Sequence, residues 1–177
     1  KGLRVFAIDP TDWVVVDVGA STGGFTDCLL QNGAKRVYAV DVGYGQLDWK
    51  LREDPRVVVM ERTNIRHVDP DSFPEKADLA VIDVSFISLT KIFGVVLGLL
   101  KEQGQVVALI KPQFEAGREH VGKKGVVRDP AVHREVLKRL SEELQAMGAA
   151  LVGLDYSPIT GPEGNIEYLA HFLKGRP

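Results

Sequence analysis

The stretch Trp13-Val14-Val15-Val16-Asp17-Val18-Gly19-Ala20-Ser21-Thr22-Gly23-Gly24-Phe25-Thr26 decides the fold of this chain. Trp13 to Val18 is a short β-branched run that ends on a glycine cluster, the pattern of a strand covered on both faces. The glycines let the backbone turn tightly and approach a ligand closely. A helix is expected from Phe25, with Cys28 and Leu29 on its inner face and Gly33 as its stop.

The alternation continues downstream. Residues 37–40 read as a second strand ending at Asp41, and Leu47, Trp49 and Leu51 mark a short helical stretch. Residues 57–60 form a third strand and residues 79–82 a fourth, ending at Asp83. Leu89, Ile92, Phe93, Val96 and Leu100 recur at helical spacing before a fifth strand, 106–110, that stops at Lys111-Pro112. Asp129 and Pro130 open a long helix with Val136, Leu137, Leu140, Leu144 and Met147 on one face, ended by Gly148. Residues 150–156 and 166–172 then form two strands with no helical pattern between them. So short a connection cannot make a right-handed parallel crossover, so the last pair is antiparallel. The class expected is α/β: a doubly wound, mostly parallel seven-stranded sheet with an antiparallel terminal hairpin and helices on both faces, as one domain over residues 1–177.

Bulk properties narrow the function. The net charge of −2 is unlike that of a self-sufficient nucleic-acid binder, so any grip on RNA must come from a local basic patch or another domain. The single cysteine, Cys28, forms no internal disulfide. The strongest apolar stretch, from Ile92 to Leu100, falls well short of the roughly 20 residues of a membrane span. No signal-peptide pattern opens the chain, so a cytoplasmic enzyme is the expectation. The chain begins at Lys1 rather than Met and reads as part of a longer protein. His67, His120, His133 and His171 show no metal spacing with one another or with Cys28, so no metal is expected.

Open parallel sheets bind ligands at the carboxyl ends of their strands. The turn after the first strand lies there, but Gly19, Gly23 and Gly24 do not have the G-x-G-x-x-G spacing of a dinucleotide site. The turn suits a ligand without a diphosphate. Asp41 is placed to accept hydrogen bonds from a ribose, or to cap a helix. Asn64 either meets an adenine edge or has no ligand role. Asp83, Lys111 and Glu167 are polar residues at the ends of buried strands. An acid and a lysine on neighbouring strand ends perturb each other's proton affinity, and the lysine can help deprotonate a poor nucleophile. A structural salt bridge is the plainer alternative.

Longer motifs add to this. Asp17 to Thr26, Asp41-Val42-Gly43-Tyr44-Gly45-Gln46-Leu47, Asp83-Val84-Ser85-Phe86-Ile87-Ser88, Lys111-Pro112-Gln113-Phe114-Glu115 and Gly164-Asn165-Ile166-Glu167-Tyr168 resemble, in order and over essentially the whole chain, the TlyA family. These are FtsJ-like ribosomal RNA 2′-O-methyltransferases, also labelled hemolysin A. The resemblance implies a Rossmann-like S-adenosylmethionine-dependent methyltransferase fold and a Lys-Asp-Lys-Glu catalytic tetrad. Asp83, Lys111 and Glu167 fall on its last three members, and the first lysine is expected upstream of Lys1. It further implies S-adenosyl-L-methionine as cofactor, with Asp17, Gly19, Ala20, Ser21, Thr22, Gly23, Gly24, Phe25, Thr26, Asp41, Asn64 and Asp83 as candidate contacts. The family also carries an N-terminal S4-like RNA-binding domain, which this chain lacks.

The partner implied is ribosomal RNA in a ribosomal subunit, with neither membrane nor metal. Arg118, Lys123, Lys124 and Arg128, in the glycine-punctuated loop 117–128, are candidate RNA contacts; a solvated flexible loop is the alternative. Arg62 and Arg66 are weaker candidates for phosphate contact. Three competing functions are a membrane-active hemolysin, a nicotinamide dehydrogenase and a non-catalytic cofactor-binding module. Glu135, Glu142 and Glu143 suit the long helix to water rather than anionic lipid. The glycine spacing opposes the dehydrogenase.

Overall fold

The computed structural model describes residues 1–175. Seven strands form one sheet: β1 (Val14–Val18), β2 (Arg36–Val40), β3 (Val57–Met60), β4 (Ala77–Ile82), β5 (Leu100–Ile110), β6 (Ala149–Tyr156) and β7 (Tyr168–Lys174). Their order across the sheet is β3-β2-β1-β4-β5-β7-β6. Pairings from β3 to β5 are parallel, whereas β7 runs antiparallel to both β5 and β6. The fold is thus the expected Rossmann-like α/β arrangement with its antiparallel end, and the strand order reverses between β1 and β4.

Helix α1 (Gly2–Val5) precedes the sheet, and α2 (Gly24–Gln31), α3 (Trp49–Glu53), α4 (Phe93–Leu99), α5 (Pro112–Glu115) and α6 (Pro130–Ala146) lie in the connections between strands. Alternate strand residues point to opposite faces, so the sheet supports two cores. Val14, Val16, Val18, Ala80 and Ile82 face Phe93, Val96, Leu140 and Leu144 of α4 and α6. Val15, Val37, Leu79 and Val81 face Leu29, Leu30 and Leu51 of α2 and α3. Asp129 caps α6 by accepting the Ala131 N–H at 2.8 Å, with Pro130 following it.

Four local expectations are corrected. Cys28 is exposed, because α2 turns Thr26, Leu29 and Leu30 inward and a residue two positions from 26 and 30 cannot share their face. Leu100 belongs to β5, not to the preceding helix: its backbone is already extended at ψ 150°, and an apolar residue at a boundary fits either period. Met147 is the exposed C-cap of α6 rather than part of its buried stripe. Glu167 precedes β7 instead of lying inside the last strand.

Candidate active site

Strand register brings the site together. Val18 pairs with Ile82, so the next position along places Gly19 beside Asp83. Gly19 has φ +84°, and a Cβ there would overlap the Asp83 carbonyl oxygen, so only glycine permits this approach. On the other flank Ile110 pairs with Tyr168 in antiparallel register, which sets Lys111 opposite Glu167. The glycine turn, the acid, the amine and the second acid therefore line up along one edge of the sheet.

The turn is held by its own backbone and by Asp41. Gly19 and Ala20 N–H groups donate to the Val40 carbonyl at 2.9 and 3.1 Å. Asp41 accepts the Ser21 N–H at 2.8 Å and the Gly43 N–H at 2.7 Å, one on each carboxylate oxygen. Lone pairs remain on that carboxylate for further donors. Ser21, Thr22, Gly24 and Phe25 are exposed, and nothing lies within 4 Å of where a Gly24 Cβ would stand. Asp17 lies below, fully buried, with Oδ2 accepting the Thr26 hydroxyl at 2.7 Å and Oδ1 without a partner among the described residues. Burial pushes its carboxyl up to about 7, against the opposing Thr26 hydrogen bond.

Lys111 Nζ stands 2.6 Å from Asp83 Oδ1 and donates to Ser85 Oγ at 3.1 Å. The ammonium carries three N–H bonds, so one remains for a substrate. Asp83 is anchored by its own N–H, which donates to the Val18 carbonyl at 2.9 Å. Glu167, only 5% exposed, accepts the Gln113 side-chain N–H at 3.1 Å, and Gly161 of the loop 157–166 packs against its carboxylate. Gln113 Oε1 is buried and without a partner among the described residues. Phe86 is 88% exposed with φ +65°, a rare conformation for a bulky residue, and its ring centroid lies 4.8 Å from that of Phe114.

Asn64 caps the 3-10 turn Ile65–His67, accepting the Arg66 N–H at 3.1 Å. Arg62 stacks on the exposed Tyr44 ring at 4.4 Å. Arg118, Lys123, Lys124 and Arg128 are exposed, and among the described residues none pairs with a carboxylate within 4.0 Å. Their loop is pinned where it returns: Asn165 accepts the Val127 N–H at 3.1 Å and donates to the Gly125 carbonyl at 2.8 Å. His133 Nε2 donates to the Val127 carbonyl at 2.8 Å, which leaves Nδ1 facing the Tyr168 hydroxyl at 2.9 Å. A groove of about 640 Å³ on the α2 face, lined by Leu3, Phe25, Leu29, Val81 and Leu109, includes neither Asp83 nor Lys111.

Ser85 and Gln113 touch Lys111 and Glu167, and Phe86, Glu115 and Asn165 hold the segments around them, though sequence reasoning assigned none of the five a role. Each lies inside a motif around Asp83, Lys111 or Glu167, and that position was the available signal.

A Rossmann-like sheet with a glycine turn and an amine–acid pair on its carboxyl edge defines the class of protein. The model for FtsJ-like methyltransferases matches residues 1–174, and the chain belongs to that family. YqxC of Bacillus subtilis, provisionally named an rRNA methyltransferase, is 58% identical over 97% of this chain and 61% of its own length. TlyA of Mycobacterium tuberculosis, named a 16S/23S rRNA (cytidine-2′-O)-methyltransferase, is 47% identical over 94% of this chain and 62% of its own length. A solved structure from Streptococcus thermophilus, provisionally named a hemolysin, superposes with a TM-score of 0.95 at 52% identity, covering 98% of this chain and 63% of that one. The chain thus spans 61% and 62% of the length of these two curated relatives.

Proposed function

We propose that this chain is the catalytic domain of a protein that transfers a methyl group from S-adenosyl-L-methionine to ribose 2′-hydroxyls of ribosomal RNA. The observation that carries the reading is the Lys111–Asp83 pair at 2.6 Å, next to the turn that only Gly19 permits. The names of the relatives supply the substrate class.

The residues fit the cofactor. The open space at Gly24, the free lone pairs of Asp41 and the unpartnered Asp17 Oδ1 lie around one turn. Gly19 to Thr26 would cradle the cofactor and Asp41 would accept its ribose hydroxyls. When bound, the cofactor would supply an electrophilic methyl carbon on a sulfonium, with a neutral thioether as the leaving group. Lys111 holds the acceptor hydroxyl in line and, once its ammonium has released one proton to solvent, receives the hydroxyl proton on the Nζ lone pair; Asp83 and Ser85 aim that nitrogen. Glu167 sits across the register from Lys111 and binds the substrate side of the cleft. The exposed Phe86 ring offers a face on which a nucleobase stacks. Arg118, Lys123, Lys124 and Arg128, which pair with no carboxylate among the described residues, meet phosphates, and the near-neutral net charge leaves the rest of the grip to another part of the protein.

The test is Lys111→Ala in the full-length protein, with transfer of labelled methyl to unmodified ribosomal RNA as the readout. Turnover should fall at least about 100-fold while cofactor affinity stays within about threefold. Wild-type turnover, or a matching loss of cofactor affinity, would remove Lys111 from the chemistry. For the hemolysin reading, no helix among the described residues is long and apolar enough to cross a membrane.

A further inference from the structure

Glu115 is a half-buried carboxylate for which the transfer chemistry above has no use. Its Oε2 accepts the Ser88 hydroxyl at 2.7 Å, and its Oε1 accepts the Leu89 N–H at 2.9 Å. These donors open the 3-10 turn Leu89–Lys91, which closes the loop that starts at Asp83. Glu115 itself ends α5, the helical turn that starts from Lys111. One carboxylate thus joins the two segments that bear the acid and the amine.

The brace is supported from behind and doubled at its side. Arg139 of α6 donates to the Glu115 backbone carbonyl at 2.7 Å, and its Nη1 turns to Glu143 at 3.3 Å. Phe86 and Phe114, with ring centroids 4.8 Å apart, link the same two segments. Burial raises the Glu115 carboxyl above the usual carboxylate range, with the Leu89 and Ser88 bonds opposing. A group that serves only as surface charge would not be desolvated in this way.

A lysine has a flexible four-carbon stem and is a point charge without a fixed fork, so contact with Asp83 alone does not fix where its nitrogen lies. A displacement of about 1 Å at a reacting group can cost about 100-fold in rate. We infer that Glu115 is a positioning residue: it sets the separation and aim of Asp83 and Lys111 by bracing the loop after β4 against the turn after β5. This rests on the reading that Asp83 and Lys111 carry methyl transfer.

The experiment compares wild type, Glu115→Ala and Glu115→Gln in the full-length protein. It measures kcat and KM on unmodified ribosomal RNA, affinity for S-adenosyl-L-homocysteine, melting temperature, and hydrogen exchange of the Leu89 amide. Glu115→Ala should lower kcat at least about tenfold with KM and cofactor affinity within about threefold, and should speed Leu89 exchange while sheet amides keep their protection. Glu115→Gln keeps an oxygen for the Leu89 N–H and an amide that can donate to Ser88, so it should hold kcat within about threefold of wild type. Wild-type kcat in Glu115→Ala, or unchanged Leu89 exchange, overturns the inference. So does a joint fall in kcat, cofactor affinity and melting temperature that Glu115→Gln does not rescue. Should wild type itself transfer no methyl to RNA, the proposed function fails on that result, and Leu89 exchange still decides whether the brace exists.

Discussion

Lys111 and Asp83 meet at 2.6 Å, but their surroundings are unequal: the lysine side chain is 12% exposed and the aspartate 35%. Breaking the pair from either side should therefore have unequal costs. Asp83→Asn leaves an ammonium in a mostly buried position, with Ser85 as its remaining partner among the described residues. Lys111→Met leaves a carboxylate that water reaches. Orphaning a buried charge is the expensive case, and exposure reduces it. Asp83→Asn should lower the urea midpoint more than Lys111→Met, while both lose methyl transfer. Equal midpoints would show that the pair adds no buried electrostatic strain.

Gly19 and Gly24 make a second contrast. A methyl at Gly19 would overlap the Asp83 carbonyl at a positive φ, whereas one at Gly24 meets nothing within 4 Å. Gly19→Ala should destabilise by about 2 kcal/mol or more, and Gly24→Ala should leave the melting temperature near wild type. If the space at Gly24 is the cofactor's, a larger residue such as Gly24→Leu should weaken S-adenosyl-L-homocysteine binding without unfolding the protein. Calorimetric titration at unchanged affinity would move the cofactor away from the N-terminus of α2.

How much of this could be read from the chain follows from what each signal encodes. Asp83 and Lys111 interrupt apolar runs, so a one-dimensional pattern exposes them as strand ends. Asp41 stands out in the same way, and its hydrogen bonds to Ser21 and Gly43 show why an acid belongs there. The facing of Lys111 and Glu167 is different, because it depends on the β5–β7 register, which no local pattern states. Glu115 and Gln113 were invisible for a related reason: their partners, Leu89 and Glu167, lie 26 and 54 residues away. Cys28 shows the opposite error, since a small apolar residue on a short helix fits either face until the neighbouring strands are placed.

Asp17 ties stability to pH. Its carboxyl is raised from 3.8 to about 7, chiefly by burial, so the folded state holds a proton that the unfolded chain releases near pH 4. A carboxyl raised in this way adds stability that is complete below pH 3.8 and is lost as pH climbs through the folded value near 7. Between pH 5 and 7 the wild type should lose up to about 1.4 kcal/mol per pH unit relative to Asp17→Asn, which carries no titrating proton there. Urea midpoints of the two proteins across that window check the sign. Parallel slopes would mean that Asp17 ionises as readily in the folded protein as in the unfolded chain.

Asn165 controls the basic loop, and removing it should separate loop order from the rest of the fold. The side chain is 2% exposed and spends both ends on backbone: the Val127 N–H, the Gly125 carbonyl and the Pro162 carbonyl at 3.1 Å. Asn165→Ala strands the buried Val127 N–H, at a cost of about 1–3 kcal/mol. The sheet makes no use of these three bonds, so the loss should appear first as local opening of residues 117–128. Trypsin should then cut after Lys123 and Lys124 several times faster than in wild type, under conditions where β1 and β4 amides stay protected. RNA binding should weaken with it, since Arg118, Lys123, Lys124 and Arg128 would no longer be presented together. Unchanged proteolysis would mean that the His133 bond to the Val127 carbonyl is enough to hold the loop; in that case Asn165→Ala combined with His133→Ala should release it.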